Sequence, residues 1–216
     1  MYKISVGISV YKQSKWLYRC LRSLAAQLID KNDYEVIIVN DDPDESIDEI
    51  CNSLDDIINI NLIENEENIG LPSSLNKILK VARGRYFVRV DSDDYVSSHF
   101  LYALSLILDL NRDFQAVSSD YNKVDSVGNL KSIHKWQNEP IACGVMFTYE
   151  SLCEVGFYNA RFKMREGHEL MERYLKIFNL FNLPLPLYRY RIHEKNRTKN
   201  TKELSKFDNY IEEQKS

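Results

Sequence analysis

The stretch YFVRVDSDD, residues 86–94, places three acidic residues directly after a short, largely apolar segment. Tyr, Phe and Val at four of its first five positions are typical of a strand buried in a parallel sheet. Open sheets of this kind bind their ligands beyond the carboxyl ends of the strands. The stretch therefore predicts an α/β fold with a polar ligand site at the end of this strand.

Similar apolar strands alternate with helical patterns through the first half of the chain. Strands are predicted at 4–10, 35–40, 58–63 and 86–90, and helices at 15–28, 44–54, 72–82 and 98–110. This alternation predicts a mostly parallel, Rossmann-like sheet flanked by helices. The second half is less regular, with a polar stretch at 120–137 that turns near Gly128. Its predicted elements are a helix at 169–178 and strands at 115–119, 143–148 and 187–192.

Composition limits the class of protein. The chain has 216 residues, of which 44% are hydrophobic and 28% are charged, so we expect one globular domain at 1–200 and a polar C-terminal tail at 201–216. A net charge of -4 argues against nucleic acid as a partner. The N-terminus lacks a signal-peptide pattern, and no apolar run approaches the roughly 20 residues that span a bilayer. We expect a cytoplasmic protein, and peripheral association with the inner face of the membrane remains compatible with this.

The four cysteines, Cys20, Cys51, Cys143 and Cys153, form no Cys-x-x-Cys pair. This spacing argues against a zinc site and against a disulfide framework. Free thiols in a reducing compartment are the expected state.

Acidic residues follow two of the predicted strands. Asp41 and Asp42 come after the second, and Asp91, Asp93 and Asp94 come after the fourth. Carboxylates crowded at one rim repel each other unless a cation joins them, and a hard divalent ion such as Mg²⁺ or Mn²⁺ suits oxygen ligands. For Asp41 and Asp42 alone, simple turn formation is the favoured alternative. For the three acids after the fourth strand, a functional role is favoured.

Several short pieces occur in the order typical of one known family. They are ISVYK at 8–12, LRSLAAQ at 21–27, VNDD at 39–42, NIG at 68–70, ARGRY at 82–86, DSDD at 91–94 and LYRYRIH at 187–193. Over about residues 3–200 the chain resembles a family 2 inverting glycosyltransferase with the glycosyltransferase A-type fold. The resemblance implies a single catalytic domain that moves a sugar from a nucleotide-diphosphate donor, with UDP favoured, to a hydroxyl acceptor. It also implies a role in bacterial surface polysaccharide or glycan synthesis.

The resemblance further implies which residues contact the donor. Tyr11 is expected near the base, Asp42 is expected to accept a hydrogen bond from it, and Asp91 is expected near the ribose or the donor sugar. The full set of implied nucleotide-binding residues is Ser9, Tyr11, Asp41, Asp42, Asn68, Gly70, Asp91 and Ser92. The alternative for Tyr11 is an ordinary core position.

The resemblance implies a metal site as well. Asp93, helped by Asp94, is expected to bind the Mn²⁺ or Mg²⁺ that bridges the donor diphosphate. His193 is expected to contact the metal or a phosphate, and its alternative is an ordinary surface histidine. A cation there would stabilise the charge that develops on the leaving diphosphate.

The chain departs from the family pattern where a general base is expected. The family places a Glu-Asp pair at the start of the late helix, whereas this chain has Gly167 at the position of the Asp. Glu166 is the first candidate for the base and His168 is the second, and Glu169 is also chemically able to serve. A glycine at 167 would let another backbone approach closely. The alternative for the three candidates is a charged helix start.

Basic residues cluster near the last predicted strand: Arg189, Arg191, Lys195, Arg197 and Lys199. One interpretation is that they bind the diphosphate or an anionic acceptor such as a lipid-linked glycan. The other is that they protect an edge strand by their charge. Residues 120–140 are expected to shape the acceptor site.

Two other functions compete with sugar transfer. A nucleotidyltransferase would share the sheet and the metal site, but its usual glycine-rich loop is missing, because residues 11–15 read YKQSK. A catalytically inactive nucleotide-sugar-binding protein is the second alternative, and Gly167 is the residue that favours it.

Overall fold

A single sheet organises the chain, whose computed structural model describes residues 2–194, Asn196 and Phe207. The strands within these residues are β1 (Ile4–Val10), β2 (Tyr34–Asn40), β3 (Ile60–Glu64), β4 (Tyr86–Arg89), β5 (Tyr95–Val96), β6 (Ala116–Val124), β7 (Leu130–His134), β8 (Met146–Thr148) and β9 (Leu180–Arg191). The helices are α1 (Ser14–Ala25), α2 (Asp48–Asn52), α3 (Leu71–Val81), α4 (Phe100–Leu110), α5 (Tyr149–Val155) and α6 (Glu166–Tyr174).

The strand order is β3-β2-β1-β4-β8-β6-β9-β5, and β7 pairs with β6. Strands β3, β2, β1 and β4 are parallel neighbours, as are β6 and β9. Only the short or peripheral partners β5, β7 and β8 run antiparallel to their neighbours. The sheet is therefore mostly parallel, which confirms the predicted fold class. It also brings the carboxyl ends of β2, β1 and β4 to one rim.

Burial explains why these segments form strands and helices. Every residue of β2 is buried, as expected for a strand covered by helices on both faces. Helix α1 turns Leu17, Leu21 and Leu24 toward the core at the spacing of one helical face. At Gly84 a Cβ would lie 2.4 Å from the backbone nitrogen of Ser5, so only glycine allows the chain to enter β4 this closely.

The second half differs most from the sequence-based expectations. The polar stretch at 120–137 is largely a hairpin, because β6 continues to Val124 and β7 returns along it. Strand β9 begins seven residues before the predicted strand at 187, at Leu180, and includes Pro184 and Pro186. The β6–β9 register shifts around Asp120, which accommodates the two prolines that cannot donate to a ladder.

Smaller differences have local causes. The helix predicted at 44–54 is only α2, because residues 43–45 form a turn and bend at which the side chain of Asn40 donates to the carbonyl oxygen of Glu45. The predicted helix at 169–178 is α6, which begins and ends earlier, and α5 was not predicted.

The remaining expectations concern cysteines, membranes and the tail. Cys20, Cys51 and Cys143 are buried free thiols and Cys153 is an exposed one, which confirms the predicted free state. Within the described residues, each helix is too short or too polar to span a bilayer. The predicted tail at 201–216 lies outside the described residues apart from Phe207, and so do Lys195, Arg197 and Lys199.

Candidate active site

A cleft of about 1060 Å³ opens at the shared rim formed by the carboxyl ends of β1, β2 and β4. It brings together ten of the predicted site residues: Ser9, Tyr11, Asp41, Asn68, Gly70, Asp91, Ser92, Asp93, Glu166 and His168. Four predicted residues, Asp42, Asp94, Glu169 and His193, are not among its lining. The ring of Tyr11 is 42% exposed, so the alternative of a core position for this residue is wrong.

Asp41 organises the loop that forms one wall of the cleft. Its Oδ1 accepts hydrogen bonds from Asn65 Nδ2 (2.8 Å) and the Ile69 amide (2.9 Å). Its Oδ2 accepts from the Gly70 amide (2.9 Å) and Asn68 Nδ2 (3.2 Å). Four donors at two oxygens fix the loop, because each bond to a buried carboxylate is charge-assisted.

Asp42 is buried beside this loop and shapes the opposite turn. Its Oδ2 accepts from the backbone amide of Lys12 (3.2 Å) and its Oδ1 from that of Asp44 (3.4 Å). Lys12 has a positive φ of 56° and extends its ammonium over the ring of Tyr11. The carboxylate of Asp42 therefore supports the segment that carries Tyr11, and contact with a base remains a prediction for this residue.

Asp91 is held by an arginine from its own strand. Arg89 donates from Nε to Asp91 Oδ1 (2.6 Å) and from Nη2 to Asp91 Oδ2 (3.1 Å), and its Nη1 donates to Glu166 Oε1 (2.8 Å). Burial alone would lower the pKa of Arg89, but the charges of Asp91 and Glu166 outweigh it and raise that pKa well above its usual value. One buried guanidinium thus compensates two of the acids in the cleft.

Asp93 lies beside His193 at the rim. The distance between Asp93 Oδ2 and His193 Nε2 is 2.8 Å, and the two side chains are only 14% and 7% exposed. The His193 ring also lies near that of Trp16, with centroids 6.0 Å apart. The alternative of an ordinary surface histidine is therefore wrong.

Asp94 faces the interior and not the cleft. Its Oδ2 accepts from the hydroxyl of Tyr188 (2.8 Å) and its Oδ1 from the backbone amide of Arg191 (2.7 Å). Burial, together with the charges of Asp93 and Asp91, raises the pKa of Asp94 well above its usual value. These contacts connect β9 to the loop at Asp91–Asp94, which we call the acidic loop. The geometry therefore favours a structural role for Asp94.

Two groups of side chains offer donor atoms that could hold Mn²⁺ or Mg²⁺. Asp91, Asp94 and Cys143 place ligand atoms within 4.8 Å of one another, but burial raises the pKa of the Cys143 thiol, and a protonated thiol is a poor ligand for a hard cation. Asp93 and His193 offer one carboxylate oxygen and one imidazole nitrogen side by side. This pair fits Mn²⁺, which accepts both donor types and fills its other positions with phosphate oxygens and water.

The start of α6 explains the missing aspartate. A Cβ at Gly167 would lie 2.3 Å from the Cβ of Ala142, so the segment around Ala142 occupies the space that a side chain would need. This agrees with the close approach expected from a glycine at this position.

The three candidate bases at α6 differ in their surroundings. Glu166 and His168 both line the cleft, and His168 Nε2 lies 3.3 Å from Arg165 Nη1. Both oxygens of Glu169 accept from Arg173, at 2.6 and 2.9 Å, outside the cleft. The geometry therefore supports Glu166 or His168 as a base and gives Glu169 a structural contact.

The far wall of the cleft comes from the β6–β7 hairpin and the loop that follows it. Lys123 and Glu139 line it as an ion pair, and Glu139 Oε2 also lies 2.7 Å from His134 Nδ1. Tyr190 on β9 completes this wall. Charged pairs beside an aromatic ring suit the hydroxyls and the apolar face of a sugar.

Of the predicted basic residues, Arg191 is buried and Arg189 is half-buried. Arg191 is fully buried; its guanidinium donates to the carbonyl oxygens of Asp93 (2.6 Å) and Ser126 (2.8 Å) and lies over the ring of Trp16. Strand β9 lies between β6 and β5, so the alternative that Arg189 and Arg191 protect an edge strand is wrong.

Sequence reasoning missed Arg89, Lys123 and Glu139. Arg89 carried a usable signal, because a charged residue inside an apolar strand needs a buried partner. Lys123 and Glu139 carried none, since their pairing depends on a hairpin whose residues are polar throughout.

Comparison with known families gives one match over most of the chain. The family model described as glycosyl transferase family 2 matches residues 5–165. A poly(ribitol-phosphate) beta-glucosyltransferase of Bacillus spizizenii is 40% identical over 101 residues, which are 46% of this chain and 16% of that protein. Glycosyltransferase GlyA of Streptococcus pneumoniae is 32% identical over 127 residues, 58% of this chain and 18% of that protein. The chain spans less than a fifth of the length of these curated relatives.

Solved structures share the fold. Staphylococcus aureus TarS 1-349 in complex with UDP-GlcNAc superposes with a TM-score of 0.77 at 22% identity, covering 92% of this chain and 61% of that one. The mannosyltransferase PcManGT from Pyrobaculum calidifontis, in complex with GDP-Man and Mn²⁺, superposes with a TM-score of 0.68 at 16% identity, covering 90% and 58%. At these identities the likeness shows a common architecture.

Proposed function

Because the chain belongs to glycosyl transferase family 2, we propose that it transfers a sugar from a UDP-sugar to a hydroxyl of a glycan or lipid-linked glycan, inverting the anomeric carbon. The observation that carries the proposal is the cleft at the strand ends, where Asp91, Ser92 and Asp93 meet the loop around Asn68 and Gly70. The naming of relatives as transferases acting on poly(ribitol-phosphate) supports an acceptor of the bacterial surface. We place the reaction on the cytoplasmic side, with peripheral contact at the inner face of the membrane.

The donor would lie along the wall made by β1, β2 and β4. Tyr11 offers an exposed ring on which a base can stack, and Asn68 and Gly70 are held by Asp41 in the same wall. Asp91 would accept a hydrogen bond from the ribose or the donor sugar. A UDP-bound structure of TarS supports uridine as the base to test first.

Asp93 and His193 are the residues that would hold Mn²⁺ or Mg²⁺. A cation bound there would neutralise the charge on the leaving diphosphate. Arg191 Nε donates to the carbonyl oxygen of Asp93 and so fixes its backbone before a donor arrives, which limits the reorganisation that binding requires. A cation would take the place of the hydrogen between Asp93 Oδ2 and His193 Nε2.

Glu166 is the proposed base, and His168 is the second candidate. Glu166 Oε1 accepts from Arg89, so Oε2 is the atom that would take the proton of the acceptor hydroxyl. The acceptor would lie against Lys123, Glu139 and Tyr190, on the wall opposite the donor. Attack from that side gives inversion.

A second candidate function is nucleotide-sugar binding without turnover. The close contact of Gly167 with Ala142 favours it, because this contact replaces the carboxylate that the family usually carries. We do not propose a nucleotidyltransferase, since residues 11–15 lack the glycine-rich loop that this class uses.

The first experiment is calorimetric titration of UDP into the wild-type protein, with and without Mn²⁺. We expect Mn²⁺-dependent binding that Asp93→Ala weakens at least about tenfold, because a charge-assisted contact is lost. Glu154→Ala, an exposed acid on α5 outside the cleft, is the matched control and should bind like the wild type. If UDP, GDP, CMP and dTDP all fail to bind, the proposed donor site is wrong.

A turnover assay separates the two candidate functions. UDP release from UDP-glucose or UDP-GlcNAc should be measurable for the wild type and should fall about 100-fold or more in Glu166→Gln, which cannot accept the proton. Tight UDP binding without turnover on a broad acceptor panel would favour the inactive binding protein.

A further inference from the structure

The side chain of Arg89 forms ion pairs with two carboxylates that line the cleft. Its side chain is 7% exposed, and its partners are Asp91, two residues away, and Glu166, 77 residues away. Three hydrogen bonds of 2.6 to 3.1 Å use its Nε, Nη1 and Nη2. The guanidinium therefore connects the donor wall to the start of α6.

The geometry of arginine makes this connection rigid. A guanidinium is planar, and its donors leave in fixed directions, so two carboxylates bound to one guanidinium have a fixed separation and orientation. Each oxygen of Asp91 that accepts from Arg89 keeps a second lone pair for a ligand. Glu166 accepts from Arg89 with Oε1, and the residue lines the cleft.

We propose that Arg89 is a positioning residue for sugar transfer, holding Asp91 on the donor side and Glu166 on the acceptor side as one rigid unit. This inference rests on the proposed function of the cleft. Under it, Arg89 contributes to donor affinity through Asp91 and to turnover through Glu166, without touching the reacting atoms.

Other Arg–Glu pairs in the protein show what a purely structural pair is like. Arg83 donates from Nε and Nη2 to the buried Glu35, at 3.0 and 2.8 Å, at the opposite end of the sheet. Neither residue lines the cleft. Arg83→Met is therefore a matched control that removes an arginine from a buried glutamate without changing the cleft.

The test measures Mn²⁺-dependent UDP affinity by calorimetry and UDP release from UDP-glucose or UDP-GlcNAc. Arg89→Met should weaken UDP binding about tenfold and lower kcat about 100-fold, because both carboxylates lose their positions. Arg89→Lys keeps the charge but not the planar fork, so it should keep UDP affinity within about threefold and still lose about tenfold in kcat. This split between affinity and turnover is what a merely structural role would not produce.

A double variant tests whether Arg89 acts through Glu166. If it does, kcat of Arg89→Met/Glu166→Gln should lie within about threefold of the lower of the two single variants, and multiplicative losses would overturn the inference. The double variant also removes the buried acid that Arg89→Met leaves unpaired. Should Arg89→Met not fold, the double variant is compared with Glu166→Gln alone, and an additional loss of kcat greater than about threefold would overturn the inference.

The remaining outcomes distinguish a failure of this inference from a failure of the proposed function. Wild-type affinity and turnover in Arg89→Met, or equal losses in Arg83→Met, would overturn this inference while leaving the proposed function in place. Absence of UDP binding by the wild-type protein would overturn the proposed function and this inference together.

Discussion

Gly167 leaves the start of α6 without the carboxylate that the family usually has at this position. Because a Cβ there would meet the Cβ of Ala142 at 2.3 Å, we expect Gly167→Ala to lower the free energy of unfolding by about 1–3 kcal/mol despite the better helix propensity of alanine. Urea denaturation measures the loss. Gly167→Ala/Ala142→Gly, which exchanges the two side chains, should regain most of it. Unchanged stability in the single variant would contradict the packing argument.

Asp41 allows a second test at the scale of one residue. In Asp41→Asn one oxygen becomes an amide nitrogen that faces two hydrogen-bond donors, so we expect a loss of about 1–3 kcal/mol in stability. Hydrogen exchange at the amides of Ile69 and Gly70 should accelerate with it. Asp42→Asn is the control, because its contacts of 3.2 and 3.4 Å are longer, and its effect should be smaller.

The positions of site residues were predictable where they depend only on the end of a strand. Asp91, Ser92 and Asp93 follow β4 and line the cleft, as their sequence position indicated. Asp94 was not distinguishable from Asp93, because its inward direction depends on donors from Tyr188 and Arg191, nearly 100 residues away. The pairing of Arg89 with Glu166, 77 residues away, was hidden for the same reason.

At the scale of elements, the β6–β7 hairpin gives a prediction about pH. Asp125 accepts hydrogen bonds from the backbone amides of Asn129, Gly128 and Val127. The bonds from Asn129 contribute most, and those from Lys131 and Gly128 add to them, so that the pKa of the Asp125 carboxyl is lowered. A lowered folded-state pKa stabilises the fold fully above the unfolded-state value of about 4, and this contribution is lost as the pH falls toward the folded-state pKa. The difference in stability between wild type and Asp125→Ala should therefore be larger at pH 7 than at pH 3.

Denaturation of both proteins across this pH range checks the prediction. Asp113 is an exposed acid in the loop between α4 and β6 and serves as the control. The stability difference between wild type and Asp113→Ala should not shrink comparably between pH 7 and pH 3. If the stability difference between wild type and Asp125→Ala were equal at pH 7 and pH 3, the ionised carboxylate of Asp125 would not be what stabilises the turn.

The elements of the first half were predictable because each is a short apolar strand or an amphipathic helix bounded by polar residues. The structure moves their ends by a few residues, with α2 as the main exception. In the second half, the predicted strands at 115–119 and 187–192 are parts of β6 and β9. The polar continuation of β6, the polar β7 and the proline-containing start of β9 were not predicted, because they form strands by pairing with distant segments. The local sequence pattern does not indicate such distant partners, so tertiary contacts determine whether these segments form strands.

At the scale of the whole molecule, a bound donor should stabilise the fold. UDP with Mn²⁺ at about 100 times its Kd adds about 2.7 kcal/mol, which raises the Tm of a domain of this size by about 5–10 °C. Differential scanning calorimetry should show this rise for the wild type and for Glu154→Ala, and a much smaller one for Asp93→Ala. An equal rise in Asp93→Ala would remove this residue from the proposed site.

The late position of β9 in the chain also determines when the site can form during synthesis. Among the described strands β9 is synthesised last, yet it supplies the hydroxyl of Tyr188 and the amide of Arg191 to the acidic loop at Asp91–Asp94, and His193, which follows it, supplies an imidazole. A nascent chain that has emerged only as far as α6 carries the acids but lacks the partners that orient them. We therefore expect the proposed nucleotide site to form only after β9 has been synthesised and has paired with β6.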